Sequence, residues 1–140
     1  MSLKKFFLNG LRIALSFTFL WAFLDKTFGL GFSTPSARAW INGGSPTFGF
    51  LTNAVKGPFA EFFSSLAGVP WVDWVFMAGL LFIGISLLFN FFTKWGAFAG
   101  MLMLILMYLA VLPPENNPIV DDHIISLFAL GVVAFYYREY

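Results

Sequence analysis

Apolar residues gather in four long runs along the chain, set apart by one long mixed segment and short polar breaks. The first run covers residues 6–24, and must extend to about residue 30 if it is to cross a bilayer. The second, residues 74–92, is uncharged from residue 75 to residue 93. The third, residues 95–112, is closed by Pro113-Pro114, and the fourth covers residues 123–138. Crossing about 30 Å of hydrocarbon takes roughly 20 apolar residues in a helix. The second and third runs meet that length, whereas the first and fourth meet it only by taking charged residues with them. The pattern predicts an all-α membrane protein, a four-transmembrane-helix bundle forming one domain over residues 1–140.

The mixed segment, residues 33–72, has a helical pattern of its own. Ser45 suits an N-cap and Pro46 the first helical position after it. Phe48, Leu51 and Val55 would share one face until Gly57-Pro58 breaks the pattern. Phe59, Phe62, Phe63 and Leu66 then repeat at helical spacing, ended by Gly68 and Pro70. Two short amphipathic helices in the membrane interface are expected between spans one and two, as a lid over the bundle mouth or as a lipid anchor. Gly96 and Gly100 form a GxxxG pattern, which permits close helix approach within the chain or in a homo-oligomer.

Composition supports the lipid bilayer as solvent. The chain is 59% hydrophobic and 11% charged, against about half and a quarter in soluble domains. A net charge of +1 without a basic run gives nucleic acid no footing as a partner. There is no cysteine, so thiolate catalysis, disulfides and iron–sulfur ligation are excluded. With His123 the single histidine, no metal site and no haem are predicted. Any electron carrier is therefore a bound small molecule or belongs to a partner. The opening MSLKKFF resembles a signal peptide, but no small-residue cleavage site follows, and a retained first span is expected. Lys4, Lys5, Lys94 and Arg138 fall on one side of such a bundle. Asp73, Glu61, Glu115, Asp121 and Asp122 fall on the other, with Arg38 and Lys56. This distribution predicts cytoplasmic N- and C-termini.

The first span holds both signs of charge. Residues 13–24 reach only about 18 Å at 1.5 Å per residue, so Arg12 and the Asp25-Lys26 pair cannot all lie outside the hydrocarbon. Charge at that depth costs roughly 2.5–3.5 kcal/mol and usually faces a bundle interior. Snorkelling and a stop signal at the span end explain part of the pattern. A polar pocket lined by Arg12, Asp25 and Lys26 explains more. Trp21 shares a face with Asp25, which suits a ring-shaped ligand. At the fourth run, Asp121 or Asp122 can cap the helix, leaving the other aspartate beside His123, the side chain that titrates nearest neutral pH. Asp25, Lys26, Asp122 and His123 are expected to converge in the outer half of the bundle.

The strings LRIALSFTFLWAFLDKTFGLGF, NGGSPTFGFL and NPIVDDHIISLFALG resemble the DoxX/DoxD family of small four-helix membrane proteins. The resemblance covers most of the chain, more distinctly in the first and last of these strings than in spans two and three. It implies a multi-pass protein of a prokaryotic plasma membrane, acting in a quinone-linked oxidoreductase such as thiosulfate:quinone oxidoreductase. It implies a quinone as cofactor and a second oxidoreductase subunit as partner. On that basis Asp25, Asp122 and His123 are the candidate catalytic groups. Arg12, Trp21, Lys26 and Arg38 are the candidate substrate-binding residues, the cations attracting an anionic sulfur compound. The alternatives are a non-catalytic membrane scaffold for another enzyme and a membrane protein that binds a small molecule or lipid.

Overall fold

The computed structural model describes residues 2–137; Arg138, which the sequence places at the end of the fourth run, lies outside them. The described residues are helical and contain no strand. Three helices are long and apolar enough to cross a membrane: α1 (Leu3–Phe28), α3 (Pro70–Phe89) and α4 (Thr93–Val111). A five-residue helix, α2 (Ala60–Ser64), lies in the segment between α1 and α3. The last helix, α5 (Asp122–Tyr136), is apolar and 15 residues long.

Local chemistry sets the helix ends. Ser2 caps α1 by accepting the Lys5 N–H at 3.2 Å, and Gly29 ends it at φ 65°, a conformation open to glycine. Helix α3 starts at Pro70, four residues before the apolar run at Trp74. Proline has no N–H to orphan at a first turn and has its φ already set. The turn after α3 uses two non-glycine residues at positive φ, Asn90 and Phe92. Asn90 Oδ1 accepts the Thr93 hydroxyl there at 2.6 Å.

Helices α1, α3, α4 and α5 pack side by side, α1 against α3 and α5, and α4 against α3 and α5. Ser16, fully buried in α1, donates to the Gly84 carbonyl of α3 at 2.7 Å. Met77, Ile83, Leu87, Leu130 and Val133 fill the core. The outward faces are apolar as well, with Phe17, Leu102, Phe128 and Phe135 all exposed. A surface of that kind is stable against lipid and a liability in water.

The connecting segment departs from the expected pair of amphipathic helices. It contains 3₁₀ turns at Ser36–Arg38, Trp40–Asn42 and Gly57–Phe59, a π-helical turn at Phe50–Ala54, and α2. Ser45 caps no helix; its hydroxyl donates instead to Asp73. Leu51 and Phe63 turn inward onto Ala110, while Phe48, Phe59 and Phe62 stay exposed. The five-residue length of α2 and the break at Gly57-Pro58 leave no room for a sustained apolar face. The segment therefore builds a second small core over the ends of α3 and α4, with Val72 and Leu109 at its edge.

The GxxxG pair is used within the chain. A methyl group on Gly96 would collide with the Ser86 side chain of α3, and one on Gly100 would meet Leu130 of α5 at 2.8 Å. Replacing Gly96 by alanine is expected to destabilise the fold by about 1–3 kcal/mol through overpacking. Gly10→Ala, where a methyl group meets nothing within 4 Å, should raise or leave unchanged the thermal midpoint in detergent. Equal midpoints for the two variants would contradict this packing.

Candidate functional site

Each charge in the first run has a specific place. The Arg12 guanidinium donates to the carbonyls of Leu87 and Leu88 in the last turn of α3, the latter at 3.1 Å. It also lies over the Tyr137 ring, 5.3 Å from its centroid. The final carbonyls of a helix have no partner within the helix and carry the negative end of its dipole. Arg12 thus neutralises the end of α3. Beside it, the Tyr137 hydroxyl donates to Asn9 and ties the end of α5 to α1.

Asp25 is 1% exposed and turned onto the chain that follows it. Its Oδ1 accepts the Phe32 N–H at 3.0 Å, and its Oδ2 accepts the Ser33 N–H at 2.9 Å and the Ser33 hydroxyl at 2.8 Å. A carboxylate in this position pins the turn after α1. Lys26 is half-buried in the last turn of α1, where the negative helix end and the neighbouring Asp25 charge favour a cation. Trp21 stacks on Phe17 at 5.7 Å and meets Phe32 edge-on at 5.0 Å. Arg38 is exposed in its 3₁₀ turn.

Sequence reasoning passed over a second buried carboxylate, Asp73, in the first turn of α3. Its Oδ1 accepts the Thr47 hydroxyl at 2.6 Å, the Ser45 hydroxyl at 2.8 Å and the Thr47 N–H at 3.2 Å. The available signal was an acid at a helix start together with a Ser-Pro-Thr turn earlier in the chain. Reading Ser45 as an N-cap hid it.

At the start of α5 the two aspartates separate in role. Asp121 is the N-cap: its Oδ1 accepts the N–H groups of His123 at 2.9 Å and Ile124 at 3.3 Å. Its Oδ2 accepts the His123 Nδ1–H at 2.9 Å, which leaves Nε2 as the second ring nitrogen. Burial pushes the Asp121 carboxyl up, but the hydrogen bonds from the His123 ring and the Ile124 N–H, with the His123 charge, outweigh it and hold the group below the usual carboxylate range. Asp122, one residue on, is exposed and makes no hydrogen bond among the described residues.

The expected convergence of Asp25, Lys26, Asp122 and His123 does not form as a bonded cluster. Asp25 is filled by Phe32 and Ser33, and His123 pairs with Asp121. His123 lines a narrow cleft between α4 and α5 of about 40 Å³, with Leu104, Ile105, Tyr108, Ile124 and Leu127. A second, wider cleft of about 540 Å³ lies between the connecting segment and the start of α5. Neither is lined by Asp25 or Lys26. Among the described residues no group of three or more acidic or histidine side chains is placed to hold a metal ion. Compared with protein-family models, curated proteins and solved structures, the chain matches none of them.

Removing the cap, Asp121→Ala, should cost about 1–2 kcal/mol at neutral pH. Because the folded carboxyl sits below its ordinary value, its contribution is fully present above about pH 4 and is lost as the pH falls through the folded value. Unfolding of wild type and variant in detergent from pH 7 to pH 3 should show the difference shrinking only at the acid end. A difference constant across that range would contradict an ionised cap.

Proposed function

We propose that the chain is a four-span integral membrane subunit of a quinone-linked oxidoreductase, with both termini cytoplasmic in a prokaryotic plasma membrane. The observation that carries this reading is the His123–Asp121 pair beside an apolar cleft at the α4–α5 edge. An imidazole held by a carboxylate at one nitrogen can exchange a proton at the other. Quinone reduction takes up two electrons and two protons; the electrons would come from a partner subunit, since this chain has no cysteine and a single histidine. A quinone suits the site: with Nδ1–H held by Asp121, the protonated imidazole would donate from Nε2 to a ring carbonyl, and the cleft wall is otherwise aliphatic and tyrosyl. At about 40 Å³ the cleft takes a carbonyl edge but no whole ring, so the ring would lie along the partly exposed Ile105.

The fourth span is part of the proposal. Helix α5 is about 22 Å long at 1.5 Å per residue, short for a bilayer crossing, and its packing on α4 and α1 supports its crossing with them. Resemblance of the first and last apolar strings to the DoxX/DoxD family supports the same reading, and thiosulfate is the sulfur anion it suggests. Asp25 and Asp73 are better read as structural acceptors than as proton carriers, because backbone and hydroxyl donors already fill them.

The protein extracted gently from its native membrane with its partners should carry quinone. His123→Ala should lower donor-dependent quinone reduction by about 100-fold or more, the low end of what a positioned acid–base group contributes. No bound quinone, and reduction unaffected by the variant, would overturn the reading.

A further inference from the structure

We propose that the cleft between the connecting segment and the start of α5 binds the headgroup of a phospholipid carrying a primary ammonium. The inference rests on the chain spanning a bilayer, though not on any redox role. The cleft is built from three parts of the chain. Residues 53–56 form one wall, fixed to α4 where the Lys56 N–H donates to the Ala110 carbonyl at 3.0 Å. Residues 114–116 form the second, and Asp121, Asp122 and Ile125 the third. Its volume of about 540 Å³ falls within the roughly 300–1,000 Å³ of small-molecule sites.

The lining chemistry selects the headgroup. Lys56 is the one cation in the wall, against the carboxylates of Glu115, Asp121 and Asp122. Lys56 and Glu115 stand 3.8 Å apart with side chains 40% and 82% exposed, a pair too wet to satisfy either charge firmly. Asp121 is occupied by His123 and Ile124, whereas Asp122 accepts no hydrogen bond among the described residues. The wall therefore offers one anchor for an anion and an excess of acceptors for a cation. A zwitterion with a phosphate for Lys56 and an ammonium for Asp122 and Glu115 meets both demands. The ammonium is primary because three N–H donors match carboxylate acceptors. A quaternary ammonium is instead recognised by aromatic faces, and no aromatic ring lines this cleft. A purely anionic headgroup would meet the carboxylate excess.

The occupant is a lipid rather than a soluble amine because an apolar track leads away from the cleft. Ile125 belongs to the lining and is exposed. Phe128, Val132 and Phe135 follow it at helical spacing along α5, all exposed. A headgroup in the cleft would lay its acyl chain on this stripe.

The test places the full chain in vesicles of equimolar ethanolamine, choline and glycerol phospholipids, followed by gentle extraction and mass-spectrometric counting of the lipid that co-purifies. Wild type should retain the ethanolamine lipid about fivefold over choline, as about one net charge-assisted contact allows. The exposed-site double variant Glu115→Gln/Asp122→Asn should bring that ratio to about one. No enrichment in wild type, enrichment unchanged in the variant, or preference for the glycerol lipid would each overturn the site. A chain that fails to float with the vesicles would overturn the bilayer reading with it, whereas a floating chain without enrichment overturns the headgroup site alone.

Discussion

A carboxylate removed from water must have its acceptor oxygens filled, and Asp25 fills them from the chain immediately after its own helix. That requirement organises the loop end of the molecule. Three donors from Phe32 and Ser33 converge on Asp25, and three from Ser45 and Thr47 converge on Asp73. The two aspartates sit in α1 and α3, so the segment joining those helices is pinned to α1 near its start and to α3 at residues 45–47. From the second pin to Pro70 it needs no long helix to hold its place, and short turns around Leu51 and Phe63 suffice. Arg12 does the converse at the far end, supplying donors to carbonyls that α3 leaves open.

With Arg12 and Asp25 assigned to structure, His123, Asp122 and Glu115 lie at one edge of the molecule. His123 has one nitrogen fixed by Asp121 and lines the α4–α5 cleft; Asp122 and Glu115 border the wider cleft beside it. The proposed proton exchange and the proposed lipid site both draw on this edge. They use different groups: His123, held by Asp121, serves the first, and Asp122 with Glu115 and Lys56 the second.

The hydrophobic pattern made the three long helices legible, since each is longer than any polar interruption could disguise. It placed the start of α3 four residues late, because Pro70 and Trp71 read as the end of what preceded them. Length arithmetic argued that Arg12 and the Asp25-Lys26 pair could not all escape the apolar layer, and in the fold Arg12 and Asp25 bond to backbone groups. It could not name their partners, which are backbone groups and carry no residue signature. For the same reason Asp73 was missed, and the sequence left open whether Asp121 or Asp122 caps α5: which aspartate caps a helix depends on where the first N–H groups point. The amphipathic spacing of residues 48–66 misled because helical spacing means little where glycine and proline keep each helix to a turn or two.

Amide hydrogen exchange in detergent tests the structural reading of Asp25 most directly. The account predicts slow exchange at the Phe32 and Ser33 N–H groups in the wild-type chain, although both residues lie in an exposed loop. In Asp25→Ala these two amides should exchange at loop rates while those in the middle of α3 and α4 stay protected. Fast exchange of both amides in the folded wild type would contradict it, and would return Asp25 to the groups free to serve a ligand.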